Sequence, residues 1–332
     1  MRSRTNRLAV ITAGLALAAC VPRFVRRRDE RRSSVSELSG SPPPLASTTV
    51  STRDGAELYV GEIGAGTPLV LIHGLSLSHD LWRYQFIDLA DEFRLVAYDL
   101  RGHGRSTIGT EGIGPHQSAA DLVAVLETLD LRGVVLVGHS IGGTVVGQFC
   151  ADHVDVARER VAGLVFVDSF ASAIAGEGRL RELCSPAITR AGAAIARRRR
   201  RGSTAMAYVA ARAPFGPHPE AEQVNFTLEL GEHTAPAVSS AATIANLSYD
   251  VREAIGAIDI PALVLRGSAD RLSTARSTAQ LREALVDPTV ELIAGVGHLP
   301  MLEARAAFNE ILTGFVRQVV DEPDRGDQNL PG

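Results

Sequence analysis

Val134-Val-Leu-Val-Gly-His-Ser-Ile-Gly-Gly143 decides the fold. Four apolar, largely β-branched residues make a run of the length of a buried strand, and Thr144 to Cys150 continues with helix-compatible spacing. Between them Gly138-His-Ser-Ile-Gly142 has the form G-x-S-x-G, the pattern of a serine on a sharp strand-to-helix turn. The glycines have a mechanical reason: a serine in a strained backbone conformation needs neighbours two positions away without side chains. Its hydroxyl then projects from the end of the strand, and the helix that follows points its positive end at developing negative charge. Ser140 is therefore the candidate nucleophile.

Outward from this turn, the pattern predicts strands over 57–62, 68–72, 93–98, 163–168, 261–267 and 289–293. Helical spacing separates them: Ser78 is placed as the cap of a helix through Leu89, with further helices over 116–129 and 304–320. Strands alternating with helices in this way predict an α/β fold with a mainly parallel sheet. The alternation breaks over 169–258, which reads as a helical, irregular insertion with an arginine run at 197–201 and a Pro214-Phe-Gly-Pro-His-Pro219 turn cluster. The expected organisation is a core of 50–168 and 259–320, an insertion of 169–258 and a flexible tail of 321–332. Of the insertion's larger side chains, Met206, Tyr208, Phe215, Phe226 and Leu247, most are expected to pack it onto the sheet.

The N-terminus reads differently. Three arginines precede an apolar run over 8–21 that ends in Leu17-Ala-Ala-Cys20, the layout of an export signal, and Leu-Ala-Ala-Cys is similar to a lipoprotein processing box. Arg23, Arg26, Arg27, Arg28, Arg31 and Arg32 then form a basic flank suited to anionic lipid and resistant to translocation. Residues 1–32 are thus expected to associate the chain with a membrane or the cell envelope, with a cytoplasmic location as the alternative. Residues 33–49, with Pro42-Pro43-Pro44 and many serines, read as a linker.

With 332 residues, 45% of them hydrophobic, the chain can bury a sizeable core, and a net charge of −4 gives no reason to expect nucleic acid. All 34 basic residues are arginine, which excludes a lysine nucleophile or Schiff base. Cys20, Cys150 and Cys184 form neither a disulfide framework nor a metal cluster, and no His/Cys/Asp/Glu spacing suggests a metal. No cofactor is called for.

A serine needs an adjacent base, and the base a carboxylate to orient it. In a sheet of this kind catalytic groups lie beyond the carboxyl ends of strands. Asp270 follows one such strand and His298 the next, with Gly295 and Gly297 allowing a tight loop. Asp168 occupies a similar strand-end position and is the alternative acid. His73, His103 and His139 sit in glycine-rich turns near the expected pocket and read as structural hydrogen-bonders. His79, His116, His153, His218 and His233 have no spacing that implicates them.

From about residue 52 to 320 the chain resembles the α/β-hydrolase superfamily in its Ser-Asp-His, esterase- and lipase-like branch. The resemblance rests on His73-Gly74, Asp99-Leu-Arg-Gly-His-Gly-Arg-Ser106, Gly138-His-Ser-Ile-Gly-Gly143, Gly267-Ser-Ala-Asp270 and Gly297-His298. The basic N-terminal segment and the insertion resemble actinobacterial members. The resemblance implies an eight-stranded sheet, a helical cap at 169–258 after the sixth strand, and an oxyanion hole from the backbone N–H groups of Leu75 and Ile141. His73, Gly74, His139, Phe215 and Leu299 are placed along the substrate pocket. The implied chemistry is hydrolysis of a small or lipid-like carboxylic ester through an acyl-serine. Haloperoxidase-like perhydrolysis, lactone opening and carbon–carbon bond hydrolysis share the same three residues. A small-molecule binding protein on this scaffold is the alternative of another class.

Overall fold

The computed structural model describes residues 25, 26, 28–30, 37–173 and 204–321. Eight strands form one sheet: β1 (Ala46–Ser51), β2 (Glu57–Ile63), β3 (Thr67–Ile72), β4 (Phe93–Tyr98), β5 (Val134–His139), β6 (Val161–Val167), β7 (Ala262–Gly267) and β8 (Thr289–Ile293), in spatial order 1-2-4-3-5-6-7-8. β2 pairs antiparallel with β1 and β4, and the pairings from β4 to β8 are parallel. The strand of the decisive stretch lies mid-sheet, between β3 and β6, and all six of its residues are buried. Burial on both faces is what a continuous apolar run in a parallel sheet requires.

Alternation along each strand divides the core into two layers. Val70, Ile72, Val134 and Leu136 join the layer beneath the helices Pro115–Thr128 and Ile141–Asp152. Leu69, Leu71, Val135 and Val137 join the opposite layer, closed by the helix Arg305–Asp321 and by Trp82 and Phe86. Between β6 and β7 the described residues from 204 on, within the insertion expected as a cap, carry the helices Thr204–Arg212, Ala221–Leu230 and Pro236–Ala245. Tyr208, Phe215 and Phe226 are buried in packing, whereas Leu247 is partly exposed. The side chain of Met206 and the arginine run at 197–201 lie outside the described residues.

Two expectations need correction. The segment read as a linker over 33–49 runs into the sheet: Ala46–Ser51 is an edge strand paired residue for residue with β2. Leu38 is buried and its carbonyl accepts a hydrogen bond from Arg83 Nη1 (2.5 Å). Of β1 only Val50 is buried, so the strand is held by backbone hydrogen bonds and has no apolar signature to read. Ser78 precedes a 3₁₀ turn, His79–Trp82, followed by the helix Arg83–Leu89, but its hydroxyl makes no capping bond; the carboxylate of Asp99 accepts the His79 N–H (2.7 Å) instead.

At the N-terminus Asp29 is fully buried against the cap, accepting hydrogen bonds from Tyr208 Oη (3.0 Å) and Arg212 Nε (2.9 Å). The apolar run at 8–21 and Cys20 lie outside the described residues. Among the described residues no helix is long and apolar enough to cross a membrane.

Candidate active site

β5 ends at His139 and the helix Ile141–Asp152 begins one residue after Ser140. Ser140 takes up the turn with φ +53° and ψ −116°, a conformation that costs a non-glycine residue about 1–3 kcal/mol. A Cβ at Gly138 would lie 2.5 Å from the Gly142 carbonyl, and one at Gly142 would overlap the Ile72 carbonyl. Glycine is required at both places by close approach. The neighbouring strand end braces the turn: Ser140 N–H donates to the Val167 carbonyl (2.9 Å), and the Ser140 carbonyl accepts from Ser169 Oγ (2.8 Å).

The loops after β7 and β8 carry the other two residues. His298 Nδ1 donates to Asp270 Oδ2 (2.7 Å), and both side chains are buried. The Asp270 carboxylate also accepts the N–H groups of Leu272 (2.7 Å) and Ser273 (3.1 Å). Burial pushes this carboxyl up, but the hydrogen bond and charge of His298, with the Leu272 amide, outweigh it and hold the group at about 2. Among the described residues Ser140 Oγ makes no hydrogen bond; contacts of this kind tighten when substrate is bound.

Three residues hold the histidine loop: Pro214, His139 and Glu303. His298 N–H donates to the Pro214 carbonyl of the cap (2.8 Å), and the His298 carbonyl accepts from His139 Nε2 (2.7 Å), with the two rings 4.9 Å apart. Glu303 Oε1 accepts from Gly297 N–H (3.1 Å) and Leu299 N–H (3.3 Å), while its Oε2 accepts from Gly216 N–H (2.7 Å). Glu303 thus ties the loop that carries His298 to the Pro214–Gly216 turn. Sequence reading missed it, and also missed Ser169; an acidic residue in the short helix after Pro300 was the visible trace of the first.

The turn after β3 lies against the elbow. A Cβ at Gly74 would sit 2.7 Å from His139 Nδ1 and 3.3 Å from Ser140 Cβ. Leu75 follows Gly74 in this turn and Ile141 opens the helix after Ser140, so the two amides expected to form the oxyanion hole belong to the two segments that meet here. Ser76, at φ +58°, shares a hydrogen bond with Ser239 of the cap (Oγ···Oγ 2.6 Å).

The residues placed along the pocket divide. His73 is wholly buried, its Nε2 accepting Leu100 N–H (3.0 Å) and its Nδ1 donating to the Gly74 carbonyl (2.7 Å). With both nitrogens used it holds the turn and offers nothing to a ligand, which corrects its placement on the pocket wall. His139 likewise supports His298. Burial lowers both imidazoles to about 3, so they are neutral. Phe215 and Leu299 are buried in the core layer beside the histidine loop. A cavity of about 20 Å³, enough for one water, lies between Ile141, Thr144, Ala242 and Asn246.

The rest of the glycine-rich loop after β4 is structural. Asp99 accepts from His79 Nδ1 (2.9 Å) and Arg105 N–H (2.8 Å), while Arg101 makes a bidentate pair with Asp121 (2.7 and 2.6 Å).

Asp168 lies beside the acid. One ligand atom each from Asp168, Asp270 and His298 falls within 4.8 Å of the others, a grouping that no sequence spacing announced. The His298 and Asp270 atoms bond each other, and the Leu272 and Ser273 amides also donate to Asp270, so these two residues are satisfied through hydrogen bonds while Asp168 Oδ2 is left without a partner.

A strained serine after the fifth strand and a hydrogen-bonded Asp–His pair after the seventh and eighth define a known arrangement. The alpha/beta hydrolase fold family matches residues 67–304. The chain belongs to that family. It is 26% identical over 280 residues to AB hydrolase superfamily protein YisY of Bacillus subtilis, covering 80% of this chain and 97% of that protein. It is 40% identical over 119 residues to a non-heme haloperoxidase of Rhodococcus erythropolis, covering 36% of this chain and 42% of that one. The esterase RhEst1 of a Rhodococcus species superposes with a TM-score of 0.69 at 28% identity, covering 82% of this chain and 99% of its own.

Proposed function

We propose that this α/β-hydrolase cleaves carboxylic esters through an acyl-serine intermediate. The observation that carries the reading is the buried His298–Asp270 hydrogen bond, 2.7 Å long, with the His298 ring 4.9 Å from that of His139, the residue before a serine strained to φ +53°. Ser140 Oγ attacks the ester carbonyl carbon as His298 Nε2 takes its proton, and the charge of Asp270 favours the imidazolium so formed. The amides of Leu75 and Ile141 receive the oxyanion; loss of one such donor typically costs about 10²–10³ in rate. The carbon–oxygen bond breaks, the alcohol leaves with the proton from His298, and water activated by the same imidazole releases the acid. Asp270 serves as the acid partner because it holds His298 directly.

The test is labelling with a fluorophosphonate probe and hydrolysis of nitrophenyl esters of increasing acyl length, in wild type and Ser140→Ala. Loss of both in the variant is expected, whereas a wild type that neither labels nor turns over overturns the reading in favour of a binding protein. Similarity to the Rhodococcus haloperoxidase favours a second reaction on the same acyl-enzyme, interception by hydrogen peroxide to give a peracid. Peracid formation that is absent in wild type rejects it.

The basic segment before residue 32 supports association with a membrane surface as a further part of this proposal. Flotation of the full chain with anionic and with neutral vesicles, compared with a variant carrying glutamine at Arg23, Arg27, Arg31 and Arg32, tests it: equal binding of wild type to both vesicles, or of wild type and variant to the anionic ones, overturns it.

A further inference from the structure

Asp168 follows β6 with its backbone in the left-handed region, φ +45°, where a non-glycine residue is strained. Its Oδ1 accepts the Gly267 N–H (3.0 Å) and faces the Ser273 hydroxyl (3.5 Å). Its Oδ2 is buried with no partner, in a residue only 1% exposed. Asp270, close by, has His298 and two amides as donors. Arg266 spends its guanidinium on the Ser273 and Asp270 backbone carbonyls (3.0 and 3.2 Å), leaving both carboxyl groups without a direct counter-ion from it.

Two buried carboxyl groups this close do not both ionise. Asp270 holds the donors that stabilise a charge, so the proton belongs to Asp168. We propose that Asp168 is a neutral carboxylic acid at pH 7 whose Oδ2–H donates to the Asp270 carboxylate, making it a positioning residue for the acid of the triad. One proton removes the like-charge repulsion and supplies a partner to the orphaned oxygen. Burial first, and then the Asp270 charge, push the Asp168 carboxyl well above its ordinary range.

The groups facing the pair are Arg266 from β7, His298 and Glu303 from the segment after β8, and His139 from β5. The flanking residues extend the role. Val167 and Ser169 hold the Ser140 backbone on its N–H and carbonyl sides, so the tripeptide 167–169 braces the nucleophile with its flanks and the acid with its middle side chain. The kinetic part of this inference rests on the acyl-serine reading; the protonation state does not.

The experiment is infrared difference spectroscopy of the full chain at pH 7, with kinetics on Asp168→Asn and Asp168→Ala. A protonated-carboxyl C=O stretch present in wild type and in Ser140→Ala is expected to vanish in Asp168→Asn. Its persistence there overturns the proposal, whether or not the enzyme hydrolyses esters. The asparagine keeps both a donor to Asp270 and an acceptor for Gly267, so kcat and the acid limb of the kcat/KM profile should match wild type. The alanine strands Asp270 without that donor; kcat should fall about 10–100-fold, the worth of one hydrogen bond to a charged group, with KM little changed and the acid limb displaced. Inactivity of Asp168→Asn as deep as that of Asp270→Asn shows an ionised Asp168 and also overturns the proposal. Should the alanine fail to fold, the infrared comparison still decides.

Discussion

At the scale of single residues the site works by fixing what each side chain is free to do. Ser140 is held by strain and by hydrogen bonds to its backbone on both sides, which leaves only its hydroxyl to move. His298 is fixed at Nδ1 by Asp270, which leaves Nε2 available for the base role proposed for it. Asp270→Asn presents the wrong hydrogen-bonding group to that nitrogen. A fall in kcat of about 10⁴ is expected, by analogy with the serine protease triad, with KM for nitrophenyl esters nearly unchanged. Stopped-flow measurement of acylation checks it: an unchanged acylation rate would transfer the acid role elsewhere. The residue types and order of Ser140, Asp270 and His298 were legible in the chain because each follows a strand in a glycine-bearing turn. The preference for Asp270 over Asp168 was not legible as chemistry, since both residues follow apolar strands; only their different donors separate them.

At the scale of elements, the cap touches the turn after β3, the helix after Ser140 and the loop that carries His298. Ser239 bonds Ser76 in the turn after β3, Asn246 bonds Thr144 in the helix after the elbow (3.0 Å), and Pro214 to Gly216 bond the histidine loop directly and through Glu303. The cap is therefore a fixed wall of the site at these points. Glu303 is the most heavily used of these links, and burial raises its carboxyl even as three amides point at it. Glu303→Ala leaves three buried amides unsatisfied and frees the His298 loop from the cap. A displacement of about 1 Å at a catalytic group can cost 10²-fold, so kcat/KM should drop by about that factor, mostly in kcat. Full activity in the variant, measured with the same esters, would remove Glu303 from the mechanism. None of these links has a sequence signature. They join residues 84 to 163 positions apart, through common serine, threonine and asparagine side chains or through backbone groups that every residue carries.

At the scale of the whole molecule, buried neutral histidines link stability to pH. His73 and His139 are lowered from an ordinary 6.5 to about 3 in the folded chain. Unfolding on the acid side of 6.5 therefore takes up protons that the native state refuses. The stabilisation is complete above about 6.5 and is lost as pH falls through about 3. Asp270, held at about 2 against an ordinary 3.8, adds to the loss at the lower end. Each histidine contributes a slope of up to about 1.4 kcal/mol per pH unit across the window. Urea midpoints measured from pH 7 down to 4 should fall steadily, and His139→Gln should flatten the fall; a midpoint independent of pH over that range contradicts the buried neutral state. The chain by itself determined the parallel core and the place of the elbow, because strand and helix periodicity and the glycines of a tight turn are local properties. It also offered Ser140, His298 and two strand-end carboxylates, Asp168 and Asp270, without separating the two acids by chemistry. The edge strand β1 escaped it, since an edge held by backbone hydrogen bonds needs no apolar pattern. The pairing of Asp168 with Asp270 and the attachment of the cap to the histidine loop were decided only in three dimensions. Burial, the sharing of a proton and the satisfaction of backbone amides depend on neighbours that folding alone brings together.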